Sequence, residues 1–227
     1  MGLLLAAGLF LLQAHADDTF KRADFVNQPA SPEASYVADW VVYSDDNKGL
    51  PFAIVDKKEA RVFVFYPNGR LRGADAALLG QAIGDDSVPG IGDKPLSAVR
   101  PWEKTTPAGR FVAQLGGNMR NEDVLWVDYE GAVSMHRVIN SNPKEQRLKR
   151  LASPTAADNR ISYGCINLPK HFYEGVVAPA FKGTKGIVYV LPETKHADKV
   201  FASYDVAEHA KLAAAKAAAQ TEVTAGN

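Results

Sequence analysis

Arg61-Val62-Phe63-Val64-Phe65-Tyr66-Pro67-Asn68-Gly69 joins a run of β-branched and aromatic residues to a tight-turn sequence. Apolar residues occupy both parities of residues 62–66, so the strand is covered on both faces. That pattern points to a sandwich or closed barrel rather than a one-sided sheet. Upstream, residues 52–55 form a second strand, and the charged residues 56–59 between the two make a hairpin. Further strands are predicted at 110–115 and 124–129. Glu130-Gly131 then turns the chain into a strand at 132–138, and a last strand follows at 186–191. Ser31-Pro32-Glu33 reads as a helix start with serine as cap and proline in the first turn, and Tyr36, Trp40 and Tyr43 recur at helical spacing. Residues 169–180 read as a helix with Phe172, Tyr173, Val176 and Val177 on its buried side. The expected fold class is therefore mainly β with flanking helices. Residues 84–107, rich in Gly, Pro and Asp, are expected to form one wall of a cleft.

The chain has 227 residues, 46% of them hydrophobic, enough to bury a real core. Lys plus Arg and Asp plus Glu are both 26, and no basic stretch is interleaved with aromatics, which argues against nucleic-acid binding. Residues 2–12 form an apolar run too short for a membrane span, and Ala14-His15-Ala16 matches a small-x-small cleavage pattern. Residues 1–16 thus read as a secretory signal peptide, although no Lys or Arg precedes the apolar run. The sequence divides further into a linker and helix at 17–49, a strand-rich domain at 50–192 and an Ala- and Lys-rich end at 193–227. That end reads as a weakly amphipathic helix or a disordered tail.

The one cysteine of the chain, Cys165, stands in Ser162-Tyr163-Gly164-Cys165-Ile166-Asn167. An exported thiol without an intramolecular partner is either paired between chains or kept for chemistry. Gly164 beside it lets backbone donors approach a bound carbonyl, which suits a nucleophile. A catalytic thiol needs a neighbouring base, and most histidines are poorly placed. His15 leaves with the signal peptide, His196 and His209 lie in the biased end, and His171 falls on the Lys170, Glu174 side of its helix. His136 remains, on a strand face shared with Ala132 and Ser134. No ligand spacing for a metal is present, and no cofactor is expected.

Ser162 to Asn167, preceded by the strand histidine His136, resembles the signature of the L,D-transpeptidase (YkuD-like) catalytic domain. Thr106-Pro107-Ala108-Gly109-Arg110-Phe111 is similar to a segment these domains carry before a core strand, and the resemblance spans residues 50–191. It implies a β-rich sandwich or barrel with a helix after the catalytic loop. It also implies attack of Cys165 on a peptidoglycan stem peptide, giving a thioester that passes to an amine, in some cases that of a wall-attached protein. His136 and Gly164 would serve catalysis, with backbone donors around Gly164 and Cys165 as the oxyanion site. Tyr163, Arg160, Ser162 and Asn167 would line the substrate, Arg160 as partner of a carboxylate and Asn167 chiefly as a brace of the turn.

Three departures stand out. Tyr163 replaces the family's usual histidine, Arg137 follows His136 where glycine or serine is usual, and the 25-residue spacer 137–161 is longer than the family's. The partner that orients His136, and its tautomer, stay open at this level. Within the spacer, residues 140–159 read as a lid. The leading function is an exported cysteine acyltransferase in the periplasm or cell wall. The alternatives are a hydrolytic relative, either an L,D-carboxypeptidase or an amidase, and a non-catalytic wall-binding module on the same scaffold.

Overall fold

A computed structural model describes residues 20–225 of the chain; the expected signal peptide at 1–16 lies outside them. Among these residues the strands are β1 (Phe52–Asp56), β2 (Arg61–Phe65), β3 (Leu71–Ala76), β4 (Leu79–Gly80), β5 (Gly109–Gly117), β6 (Asp123–Asp128), β7 (Val133–Arg137), β8 (Arg160–Ser162), β9 (Ile166–Leu168) and β10 (Gly186–Val190). The helices are α1 (Pro32–Ser44), α2 (Arg147–Leu151), α3 (Lys170–Phe172), α4 (Ala178–Phe181), α5 (Ala197–Phe201) and α6 (Val206–Ala225), with a π-helical turn at Tyr173–Val177 between α3 and α4.

Eight strands form one sheet in the order β3-β2-β1-β10-β5-β6-β7-β9. Its two edges come together. Just beyond β3, Leu78 exchanges main-chain hydrogen bonds of 2.8 and 2.9 Å with Asn167 of β9, so the sheet curls into a nearly closed barrel. The expected β1–β2 hairpin forms, with Phe52 opposite Phe65 and Asp56 opposite Arg61.

β1, β2 and β10 are buried on both faces, as the residue pattern of β2 requires. Inside the barrel, Val55, Val62, Val64, Leu125, Met135, Ile166 and Val188 pack with Phe172, Tyr173, Val177 and Phe181 from the helical segment after β9. The outer face of the same strands, with Phe52, Ile54, Phe63, Phe65 and Tyr189, packs on α1 through Ala34, Val37, Ala38, Trp40 and Val41. Ser31 caps α1, its hydroxyl accepting from Ala34 N–H at 3.0 Å. Packing continues past residue 192, because Ala197, Phe201 and Val206 are buried in this outer layer and Phe201 stacks on Trp40 at 6.5 Å. No helix among the described residues is long and apolar enough to cross a membrane.

Candidate active site

β7 and β9 are parallel neighbours, with Met135 opposite Ile166 and His136 opposite Asn167. Extending that register by one residue sets Cys165 beside Ser134, and the Ser134 Oγ to Cys165 Sγ distance is 3.7 Å. Alternation places Ser134 and His136 on one face of β7, so His136 is the diagonal neighbour of Cys165, within reach of a long side chain. The Cys165 thiol is half-buried and also lies 3.5 Å from the Ala132 carbonyl. Burial pushes the thiol pKa up. The His136 imidazole, by hydrogen bond and charge, and Ser134 pull it further down, so it lies below the ordinary thiol value.

His136 Nδ1 lies 2.7 Å from the Arg137 carbonyl oxygen. A carbonyl only accepts, so Nδ1 carries the proton and Nε2 is left as the basic nitrogen for the thiol. Arg137 itself is clamped: its Nε donates to Glu174 at 2.9 Å, its guanidinium pairs with Asp123 at 3.0 Å, and it lies over the Tyr173 ring at 4.5 Å.

The loop that carries Cys165 is built by its own polar groups. Ser162 Oγ donates to the Cys165 carbonyl at 2.6 Å and accepts from Gly164 N–H at 3.1 Å. Asn167 Nδ2 adds a second donor to the Cys165 carbonyl at 3.2 Å, while its Oδ1 accepts from Arg147 at 2.7 Å. Gly164 has φ of +129°, and a side chain there would meet the Thr105 carbonyl at 2.7 Å. Because Gly164 N–H is engaged by Ser162, the donor left for a developing oxyanion is the Cys165 N–H. That group makes no hydrogen bond to protein among the described residues.

Of the residues the sequence assigns to substrate, Tyr163 is exposed, with the Lys104 ammonium 3.8 Å from its ring centre. Ser162 and Asn167 are buried and serve the loop. The Arg160 guanidinium is turned inward, paired with Glu193 and donating to the Lys57 carbonyl at 2.7 Å, so it is not presented to a ligand carboxylate.

Two recesses lie near this region, one bordered by His136 and the other by Ala132, whose carbonyl is 3.5 Å from the thiol. One, of about 550 Å³, is lined by His136, Arg137, Asp123, Lys170 and Glu174. The other, of about 850 Å³, is lined by Gly90, Gly92, Met119, Trp126, Tyr129 and Ala132. Of residues 84–107, Gly90, Gly92 and Asp93 line this recess, with Gly92 so close to the Glu130 carbonyl that no side chain fits. Spacer residues 140–159 are pinned over the outer face of β9. Arg147 holds Asn167, Arg150 holds the Asp158 carbonyl at 2.7 Å, and buried Asn159 donates to the Ala77 carbonyl at 3.0 Å. Thr105, Thr106 and Arg147, which contact or brace this loop, were not singled out by sequence; only the Thr106-Pro107 motif marked their neighbourhood.

No family model matches the chain, and no curated protein gives a significant match. Among solved structures, the Ldtfm–avibactam carbamoyl enzyme aligns at 18% identity and a TM-score of 0.36, over 63% of this chain and 49% of that one. The chain is likewise similar to the NMR structure of the catalytic domain from E. faecium L,D-transpeptidase, at 18% identity and a TM-score of 0.33, over 62% of this chain and 95% of that one.

Proposed function

We propose that the protein is an exported cysteine L,D-transpeptidase that acts on peptidoglycan stem peptides in the periplasm or cell wall. The observation that carries this reading is the β7–β9 register, which sets Cys165 beside Ser134 and diagonal to His136, whose Nδ1 bond to the Arg137 carbonyl leaves Nε2 as the basic nitrogen. The thiol proton passes to Nε2 and Sγ attacks the carbonyl of the third stem residue. The oxyanion is met by the Cys165 N–H. As the intermediate collapses, the C–N bond breaks, His136 returns the proton to the departing amine, and the terminal D-amino acid leaves a thioester on Cys165. An acceptor amine then attacks the thioester and restores the thiol. That amine belongs to another stem peptide or to a wall-attached protein.

Incubation with tetrapeptide-containing muropeptides, followed by mass spectrometry of the products, tests the reading. Crosslinked dimers from wild type and none from Cys165→Ala are expected. Tripeptides without dimers would make water the acceptor and the protein a carboxypeptidase. An unchanged digest from wild type would remove the catalytic reading in favour of a wall-binding module.

A further inference from the structure

Thr106 is fully buried on the inner side of the nucleophile loop, and its hydroxyl joins two main-chain groups. Oγ1 accepts from Gly80 N–H at 2.9 Å and donates to the Gly164 carbonyl at 2.8 Å. The Thr106 carbonyl in turn accepts from Lys57 Nζ at 2.9 Å. Lys57 is itself fully buried, and its other two protons go to the Gly84 carbonyl at 2.5 Å and to Asp85 at 2.9 Å, with Glu193 3.5 Å away. The ammonium therefore has all three donors placed, and it ties the end of β1 to the irregular segment before β5 that carries Thr106.

The Gly164–Cys165 peptide is planar and trans, so its C=O and N–H point in opposite directions. Fixing the carbonyl on Thr106 fixes the Cys165 N–H on the other side of the loop. A glycine at φ of +129° has several alternative orientations for that plane, and nothing in its own side chain selects one.

We infer that Thr106 is a positioning residue for acyl transfer: its hydroxyl, held in place through Lys57, sets the plane of the Gly164–Cys165 peptide and so aims the oxyanion donor. Resting on the proposed acyl-transfer chemistry, the inference separates two reactions of the same sulfur. With 4-nitrophenyl acetate, Sγ forms a bond to the carbonyl carbon through a tetrahedral oxyanion, the C–O bond breaks, and 4-nitrophenolate leaves with the electron pair. With iodoacetamide, Sγ displaces iodide at a saturated carbon and no oxyanion forms.

The test is the ratio of these two rate constants, measured on the same full-length sample and normalised to titrated thiol. Thr106→Val, which keeps the shape and removes the hydroxyl, is expected to lower the ratio about 10- to 100-fold, since loss of one oxyanion donor costs up to about 10²–10³. Thr106→Ser, which keeps the hydroxyl, is expected to stay within about 3-fold of wild type on the same scale. Should Thr106→Val not fold, Thr106→Ala is expected to shift the ratio in the same direction. An unchanged ratio in the hydroxyl-less variant, or an equal fall in Thr106→Ser, overturns the inference. Acetylation needs no muropeptide, so a wild type inert toward stem peptides but showing this dependence would sink the substrate assignment and leave the role of Thr106 standing.

Discussion

His136 and Cys165 are the two residues the sequence brings out most clearly, because few histidines survive elimination and the chain has one thiol. What residue types do not encode is the direction of a main-chain carbonyl. The partner of His136 is the Arg137 C=O, so the tautomer becomes readable only in three dimensions. Arg160 shows the converse: an arginine near a nucleophile suggests a carboxylate ligand, yet its partner, Glu193, lies 33 residues away and closes an internal pair. Because the imidazole lowers the thiol pKa, iodoacetamide alkylation of wild type should reach half-maximal rate below the ordinary thiol pKa of about 8.5. In His136→Ala the midpoint should move up and the rate near pH 7 should fall about 10-fold, a size set by the thiolate fraction lost per unit of pKa. Superimposable pH profiles would remove His136 as the base. Gly164→Ala forces a side chain into a conformation of φ +129° against the Thr105 carbonyl. It should cost about 1–3 kcal/mol in urea unfolding and lower acylation as well.

At the scale of elements, the long and strongly patterned strands were legible. β1, β2, β5, β6, β7 and β10 fall at the expected positions within a residue or two, because alternation and turn residues agree there. β3 was not, since Leu71 to Ala76 holds one large apolar side chain, and its place depends on pairing with β2. β4, β8 and β9 are two or three residues long and exist only through tertiary hydrogen bonds, yet the pairing of β9 with β7 is what brings Cys165 near His136. The helix expected after it forms, but with a π-helical turn at Tyr173–Val177 that hydrophobic spacing does not reveal. The end of the chain reads as a weakly amphipathic helix or a disordered tail; α6 is helical, and α5 ahead of it brings Phe201 against Trp40 and Tyr189, a contact that composition does not reveal. Phe201→Ala should therefore destabilise the protein by about 3 kcal/mol in denaturant unfolding while leaving the thiol alkylation rate unchanged. A loss near zero would mean that this helix contributes nothing to the fold.

Across the whole molecule, the barrel is closed by the Leu78–Asn167 pairing and the loops around it are tied to one buried ion centre of Lys57, Asp85, Glu193 and Arg160. Such a centre is costly to form and more costly to break by removing one partner. Asp85 is buried, which alone raises its pKa. Donors from Thr194, the Glu193 main chain and Lys57 outweigh that and hold it well below the usual carboxylate range. A depressed folded pKa gives stability that is complete above the unfolded value of about 3.9 and is lost as the pH falls through the folded one. Asp85→Asn should thus cost about 3–5 kcal/mol near pH 7, and the deficit relative to wild type should shrink as unfolding is measured at progressively lower pH below 4. A constant deficit would contradict the charge assignment. The catalytic claim itself is tested most directly by intact-protein mass spectrometry after brief mixing with a disaccharide-tetrapeptide. Wild type should gain the mass of a tripeptide-bearing acyl group on Cys165, with release of the terminal D-amino acid, and Cys165→Ala should gain nothing. An unmodified wild type under turnover, or the same adduct in Cys165→Ala, would contradict the account.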